Sequence, residues 1–257
     1  MSSTPISKSV VQSHHPGECA TTKGRHSWLG RKLFLAATLL AGSALQPNPS
    51  LANQDGEARS TEDEATSFQA LAAQWWQFAA SIPKSVNPLT DETGQNCMVG
   101  QRGKVWFLGG VFNTTGMATR ACNIPEGKTL FFPVINSIGV NTPGACGQDT
   151  APLSLADLRK MNQDAIDSVT IKTATLDQAP LKVRLESSKV FEITLPQDNI
   201  FSAPCPAGVY SPAVDEGYYV KLKGLSAGAH VLDITGSTPD FGLHVVYNLE
   251  VVPVNSE

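Results

Sequence analysis

Leu243-His244-Val245-Val246-Tyr247-Asn248-Leu249-Glu250-Val251-Val252 decides the fold class. Leu243, Val245, Tyr247, Leu249 and Val251 fall on one side of an extended chain. His244, Asn248 and Glu250 fall on the other. A period of two belongs to a strand with one face in a core and the other in water. Working outward, short apolar runs recur at Lys104–Leu108, Thr129–Ile135, Val169–Thr173, Leu181–Leu185, Val190–Leu195, Gly217–Leu222 and His230–Thr235. Most are bounded by Gly, Pro, Asn or Asp, which mark turns. Eight short strands with turns between them predict an antiparallel β-sandwich, jelly-roll or Ig-like in kind.

Two segments read as helices instead. From Glu64 to Ile82, a step of about 100° per residue gathers Phe68, Leu71, Ala72, Trp75, Ala79 and Ile82 into one stripe. Trp75 lies near its centre as a core anchor. Trp76 and Phe78 fall on the margins, and Gln74 and Gln77 on the polar side. Pro83 ends the helix. Ser154-Leu155-Ala156-Asp157 resembles a capping box, with Asp where Glu is usual, and opens a shorter helix to about Asp167. Residues 136–152 read as a loop rich in Gly, Asn and Thr. Asp91-Glu92 and Asp215-Glu216 read as turns.

The first fifty residues point to export. Met1–Lys32 carries five cations against one acid, and Leu33–Leu45 is thirteen residues without a charge. Pro47 and Pro49 break that run, and Ser50-Leu51-Ala52 offers small residues for a signal peptidase. Residues 1–52 are therefore expected to be a cleaved signal peptide. The run is short of the roughly 20 residues a bilayer span needs, although an uncleaved anchor is the alternative. Residues 53–63 read as an acidic flexible tail, and residues 64–257 as one β-sandwich domain with its N-terminal helix. The expected location is periplasmic or extracellular, with no stable membrane span after cleavage.

From Asn53 onward, 14 Lys and Arg stand against 22 Asp and Glu, a net charge of −8. With no basic stripe, nucleic acid is a poor partner. Beyond Cys19 the cysteines are Cys97, Cys122, Cys146 and Cys205, an even number that reads as two disulfides in an exported chain. Three pairings are open. Cys97–Cys122 with Cys146–Cys205 is favoured, because the first two flank one strand pair. A zinc site would need closer paired spacing.

No Gly-x-Ser-x-Gly occurs, and after residue 52 the only histidines are His230 and His244. His230 shares a face with Leu232 and Ile234, as a hydrogen-bonded core or rim histidine would, and His244 faces solvent. Gly127-Lys128-Thr129 lacks the earlier glycine of a phosphate loop and precedes a strand, so it reads as a turn. The carboxylate pairs Asp91-Glu92 and Asp215-Glu216 have the hard oxygens that Ca2+ takes, or are ordinary turn residues. No other cofactor is signalled. Trp76, Asp215, Tyr218 and Tyr219 are candidates for an exposed aromatic contact surface.

Trp75-Trp76-Gln77-Phe78, followed by Ser81-Ile82-Pro83, Asn87-Pro88, Gly94 and Cys97, resembles the opening of a family of exported bacterial proteins of uncharacterised function. Val105–Gly109, Arg120-Ala121-Cys122, Gly127-Lys128, Leu130–Asn136, Phe191–Pro196 and Asp215–Val220 extend the resemblance. It implies a periplasmic or secreted bacterial protein and brings no activity, cofactor or catalytic residue. The leading expectation is a non-enzymatic module that binds a ligand, a glycan or another envelope protein through Trp76, Asp215, Tyr218 and Tyr219. The second is a secreted hydrolase drawing on Asp91, Arg120, Asp215 and His230. The third is a structural or assembly protein in which the doubled Trp only packs.

Overall fold

The computed structural model describes residues 66–112, 115–201 and 205–253. The expected signal peptide and acidic tail lie outside the described residues.

Helix α1 spans Phe68–Ser81. It starts where Ser67 caps it, its hydroxyl accepting a hydrogen bond from the Ala70 amide at 3.2 Å. Helix α2 spans Leu155–Asp167 behind the expected capping box. The Ser154 hydroxyl accepts from the Asp157 amide, and the Asp157 carboxylate accepts from the Ser154 amide.

The strands are β1 (Val105–Phe107), β2 (Met117–Pro125), β3 (Thr129–Val140), β4 (Ile171–Leu176) and β5 (Ala179–Pro180). They continue with β6 (Arg184–Ser187), β7 (Phe191–Leu195), β8 (Gly208–Leu222), β9 (Gly228–Thr238) and β10 (Phe241–Val252). One sheet runs β1-β3-β8-β6, with β7 also on β8; the other runs β2-β10-β9-β4-β5.

The chain is mainly β, with two sheets joined by an apolar layer. Leu130, Phe132, Val134 and Val220 of the first sheet meet Leu232, Ile234, Val245 and Leu249 of the second. A second core covers the opposite face of the first sheet. Phe131, Phe191, Ile193 and Tyr219 pack there against α1. Successive residues of β3 therefore serve two cores, and β3 is buried on both faces, as a covered central strand must be. This third layer explains the helix. Trp76, Phe78 and Ala80 are buried along with the expected stripe, leaving Gln77 exposed.

Four expectations need correction. The sheets are not antiparallel throughout, because the short edge strand β1 runs parallel to β3, and β2 runs parallel to β10. Strand β2 was not foreseen, since one of its inward positions holds Arg120 rather than an apolar residue. Strand β3 continues to Val140 through the expected loop. Asp215 and Glu216 lie inside β8, paired with Ile138 and Ser137, not in a turn. Both disulfides have the favoured pairing, Cys97–Cys122 and Cys146–Cys205.

Candidate functional site

Asp215-x-Gly217-x-Tyr219 sits on β8, so all three residues point to one face. That face looks toward α1. Gly217 pairs with Asn136 on β3. A Cβ at position 217 would lie 2.4 Å from the Asn136 Cβ, so only glycine lets the two strands bring Asn136 across this point. Asn136 then reaches both flanking side chains. Its Nδ2 donates to Asp215 Oδ2 at 3.2 Å and to Tyr219 Oη at 3.0 Å. Tyr219 Oη donates to Asp215 Oδ1 at 2.6 Å, and Trp76 Nε1 donates to Oδ2 at 2.6 Å. Ser188 and Asp215 exchange a further pair, the Asp215 amide donating to Ser188 Oγ and the Ser188 amide to the Asp215 carbonyl.

Asp215 is fully buried. Burial pushes its carboxyl up to about 7, against the opposing pull of the donors from Tyr219, Trp76 and Asn136. The Tyr219 hydroxyl is pushed well above its ordinary range by burial and by the Asp215 charge. The chain thus holds a carboxyl of raised proton affinity behind a wall made by Trp76 and Asn136.

That wall faces a pocket of about 90 Å³. The pocket opens where α1, the far half of β3, the end of α2 and the β9–β10 hairpin converge. Trp75, Trp76, Ile135, Ile166 and Phe241 supply apolar walls, and Asn136 a polar one. The end of α2 is held there by Asn162, whose Nδ2 donates to the Val214 carbonyl and whose Oδ1 accepts from Ser137 Oγ.

The structure brings Trp76, Asp215 and Tyr219 together, but as buried groups. Trp76 is 4% exposed and Tyr219 is not exposed at all, so the expected exposed aromatic platform is not built from them. Tyr219 instead stacks on Phe131, ring centroids 5.2 Å apart. Tyr218 points to the opposite face, where Lys172 Nζ donates to its hydroxyl at 2.8 Å and lies over its ring. Asn136 and Ser188 were not foreseen.

The four residues expected of a hydrolase do not gather. Arg120, 1% exposed, spends its guanidinium on the carbonyls of Asp91, Gly110, Gly109 and Leu89 and on Tyr247 Oη. It is a buried tie between loops. Asp91 meets it through its carbonyl; the carboxylate accepts from the Thr93 and Asn96 amides. Partial burial raises that carboxyl, but the hydrogen bonds from Asn96 and Thr93 outweigh it and hold it below the ordinary range. Asp215 and His230 contact neither residue.

His230 has its own partners. Nδ1 is 2.7 Å from Asp177 Oδ2, and Nε2 is 3.2 Å from Ser226 Oγ and 3.0 Å from the Ser226 carbonyl. The order serine–histidine–aspartate is that of a nucleophilic relay, but the carbonyl can only accept. When Nε2 donates to that carbonyl and Nδ1 donates to Asp177, the ring is an imidazolium. An imidazolium has no lone pair with which to take a proton from Ser226. The hydrogen bond to Asp177 raises His230 above its ordinary value, and the same bond lowers Asp177. His230 is a clamp between the β4–β5 turn and the loop before β9.

Among the described residues, no three His, Cys, Asp or Glu side chains cluster as metal ligands. Asp215 and Glu216, suggested for Ca2+, are strand neighbours and point to opposite faces.

No protein-family model matches this chain, and no curated protein does. Among solved structures, the solution structure of amebosin is similar over 52% of this chain and 96% of that one, at 12% identity and a TM-score of 0.19. A likeness of that degree carries no argument about fold or function. The chemistry of the pocket has to speak for itself. Among the described residues, no helix is long and apolar enough to cross a membrane.

Proposed function

We propose that the chain is an exported, non-enzymatic binding protein whose pocket takes a small, largely apolar group. The observation that carries this reading is the convergence of aromatic and aliphatic walls on Asn136, a polar side chain held in place by a buried network, with Ser137 and Thr238 the other polar residues of the lining. Concave, mainly apolar pockets with few fixed polar groups are the usual form of small-molecule sites. The volume suits one ring or a short aliphatic end rather than a whole oligosaccharide. The Asp215 carboxyl is spent on holding the wall, and in the Ser–His–Asp array found among the described residues Nε2 also faces the Ser226 carbonyl, which favours binding over hydrolysis. Two disulfides and the leader-like first 52 residues support a periplasmic or extracellular location. The two face-packed sheets support a sandwich of the broad jelly-roll or Ig-like kind.

The test is binding of toluene followed by Trp fluorescence, since Trp75 and Trp76 line the pocket. Ala165 also lines it, so Ala165→Phe fills the space from α2. Saturable binding to the native protein that Ala165→Phe abolishes is the expected result. Binding that survives in a folded Ala165→Phe protein would place the ligand elsewhere and end this reading.

A further inference from the structure

Asn136 is oriented by what surrounds it. Its amide could in principle be turned either way, because oxygen and nitrogen have the same shape. Here the choice is fixed by chemistry. One end of the amide lies 3.2 Å from the Asp215 carboxylate and 3.0 Å from Tyr219 Oη, whose own hydrogen is already donated to Asp215. With Asp215 ionised, both neighbours are acceptors at that point, so the end facing them is the NH2 group. Reversing the amide would set its oxygen against a carboxylate and a hydroxyl lone pair. Oδ1 must therefore point away from the network.

Among the described residues, nothing donates to that oxygen. Asn136 is half-buried and lines the pocket. The pocket thus presents a fixed acceptor at the inner end of an apolar enclosure, with the Asp215 carboxyl behind it. Trp76 forms the adjoining wall, and its indole N–H is also unavailable, being donated to Asp215. Trp76 therefore offers no donor to a ligand beside Asn136. A bound molecule that brought a carbonyl or carboxylate oxygen against Asn136 Oδ1 would meet an acceptor and leave its own oxygen unpaired there, which is costly once the ligand has displaced water. A molecule that brought an O–H or N–H would satisfy both sides.

We propose that the pocket selects small apolar molecules carrying one hydrogen-bond donor, with Asn136 Oδ1 accepting from it and the aromatic and aliphatic walls enclosing the remainder. The selection comes from the register of two strands. Gly217 opposite Asn136 lets the amide cross to Asp215 and Tyr219, and those two residues, placed two positions on either side of that glycine, lock its direction. This inference rests on the pocket being a ligand site, the reading proposed above.

Phenol, toluene and benzoate separate the two ideas, because they share a ring and differ at one substituent. Their affinities are measured on the full chain and on Asn136→Ala, with the Trp76 indole N–H resonance reporting contact at the pocket wall. In the native protein, phenol and toluene both shift that resonance and benzoate binds more weakly than phenol. In Asn136→Ala the phenol-to-toluene affinity ratio falls about ten-fold, the loss expected when a buried hydroxyl is left without its partner. Toluene binding by the variant shows that the pocket is still formed. An unchanged ratio, or benzoate binding as tightly as phenol, would overturn the donor selection and leave the pocket as a simple apolar site. If neither phenol nor toluene shifts the Trp76 signal of the native protein, the pocket-binding reading and this inference fall together.

Discussion

Trp76→Phe isolates the hydrogen bond on which the buried network depends. The substitution keeps an aromatic ring beside Trp75 but deletes the indole N–H that Asp215 Oδ2 accepts at 2.6 Å. Oδ2 then keeps only the longer bond from Asn136. A hydrogen bond to a charged group is worth about 1.5–3 kcal/mol, against about 1 kcal/mol for a neutral one. The smaller ring adds roughly 1 kcal/mol for unfilled volume. The total depends on whether Asp215 is charged. Its folded value, about 7, lies above its ordinary value of 3.8, so the folded state holds the proton more tightly than the unfolded chain. Stability linked to Asp215 is full below about pH 4 and is lost as pH rises toward 7. Deleting a donor to the anion raises Asp215 further and extends that loss to higher pH. The expected cost is therefore about 2 kcal/mol at pH 5.5 and about 3–4 kcal/mol at pH 9. Urea unfolding at both pH values measures it. Trp106→Phe is the control, because the Trp106 indole N–H is buried without an acceptor among the described residues and its loss should cost the same at both pH values. A Trp76→Phe penalty that is flat with pH, or larger at pH 5.5, would refute the reasoning.

Arg120→Met should cost about 3–5 kcal/mol in urea unfolding, since the carbonyls of Asp91 and Gly110 have no other donor among the described residues. A change under 1 kcal/mol would mean that water satisfies them. The His230 imidazole should titrate above its ordinary value by NMR and return toward it in Asp177→Asn. The stability this clamp provides should be lost as pH rises through the folded His230 value, and also as pH falls through the lowered Asp177 value. Equal His230 titration in both proteins would remove Asp177 as the cause. Finally, the chain from Asn53 onward should show no free thiol under non-reducing mass spectrometry. Replacing Cys97 and Cys122 with Ala should cost about 3.5 kcal/mol for a loop of 25 residues.

Legibility from sequence followed how far each residue's chemistry agreed with its place. Strand β10 was legible because its apolar residues alternate and a core covers one face. Helix α2 was legible from Ser154 and Asp157, which cap it as their spacing suggests. Strand β2 was hidden because its inward positions carry Ala118, Arg120 and Cys122, and an arginine facing inward reads as a break. The buried face of α1 was underestimated because no helical wheel shows that a sheet and loops enclose a helix from several sides. Asp215 and Glu216 looked like a turn because two acids, one of them a turn-favouring Asp, stand just before the run Gly217–Leu222. Here a glycine is needed where Asn136 crosses, and the acid is held by three donors.

The candidate site was legible only in part for the same reason. Trp76, Asp215 and Tyr219 were singled out as contact residues, and they do meet, but facing inward. The signal that could have shown one buried cluster was Asp-x-Gly-x-Tyr read as a strand, which sets an acid and a phenol on one face across a glycine. Asn136 left no local trace, because its role depends on a register with β8 that lies 81 residues away at Gly217. No periodicity within β3 reports which residue will face it.

The measurement that bears most directly on the account is a crystal structure of the protein soaked in phenol. The ring should lie enclosed by Trp76, Ile135 and Ile166, with its oxygen about 2.8 Å from Asn136 Oδ1 and the Asp215 network unchanged. Phenol bound only on the surface, or a pocket holding nothing but water at saturating phenol, would contradict it.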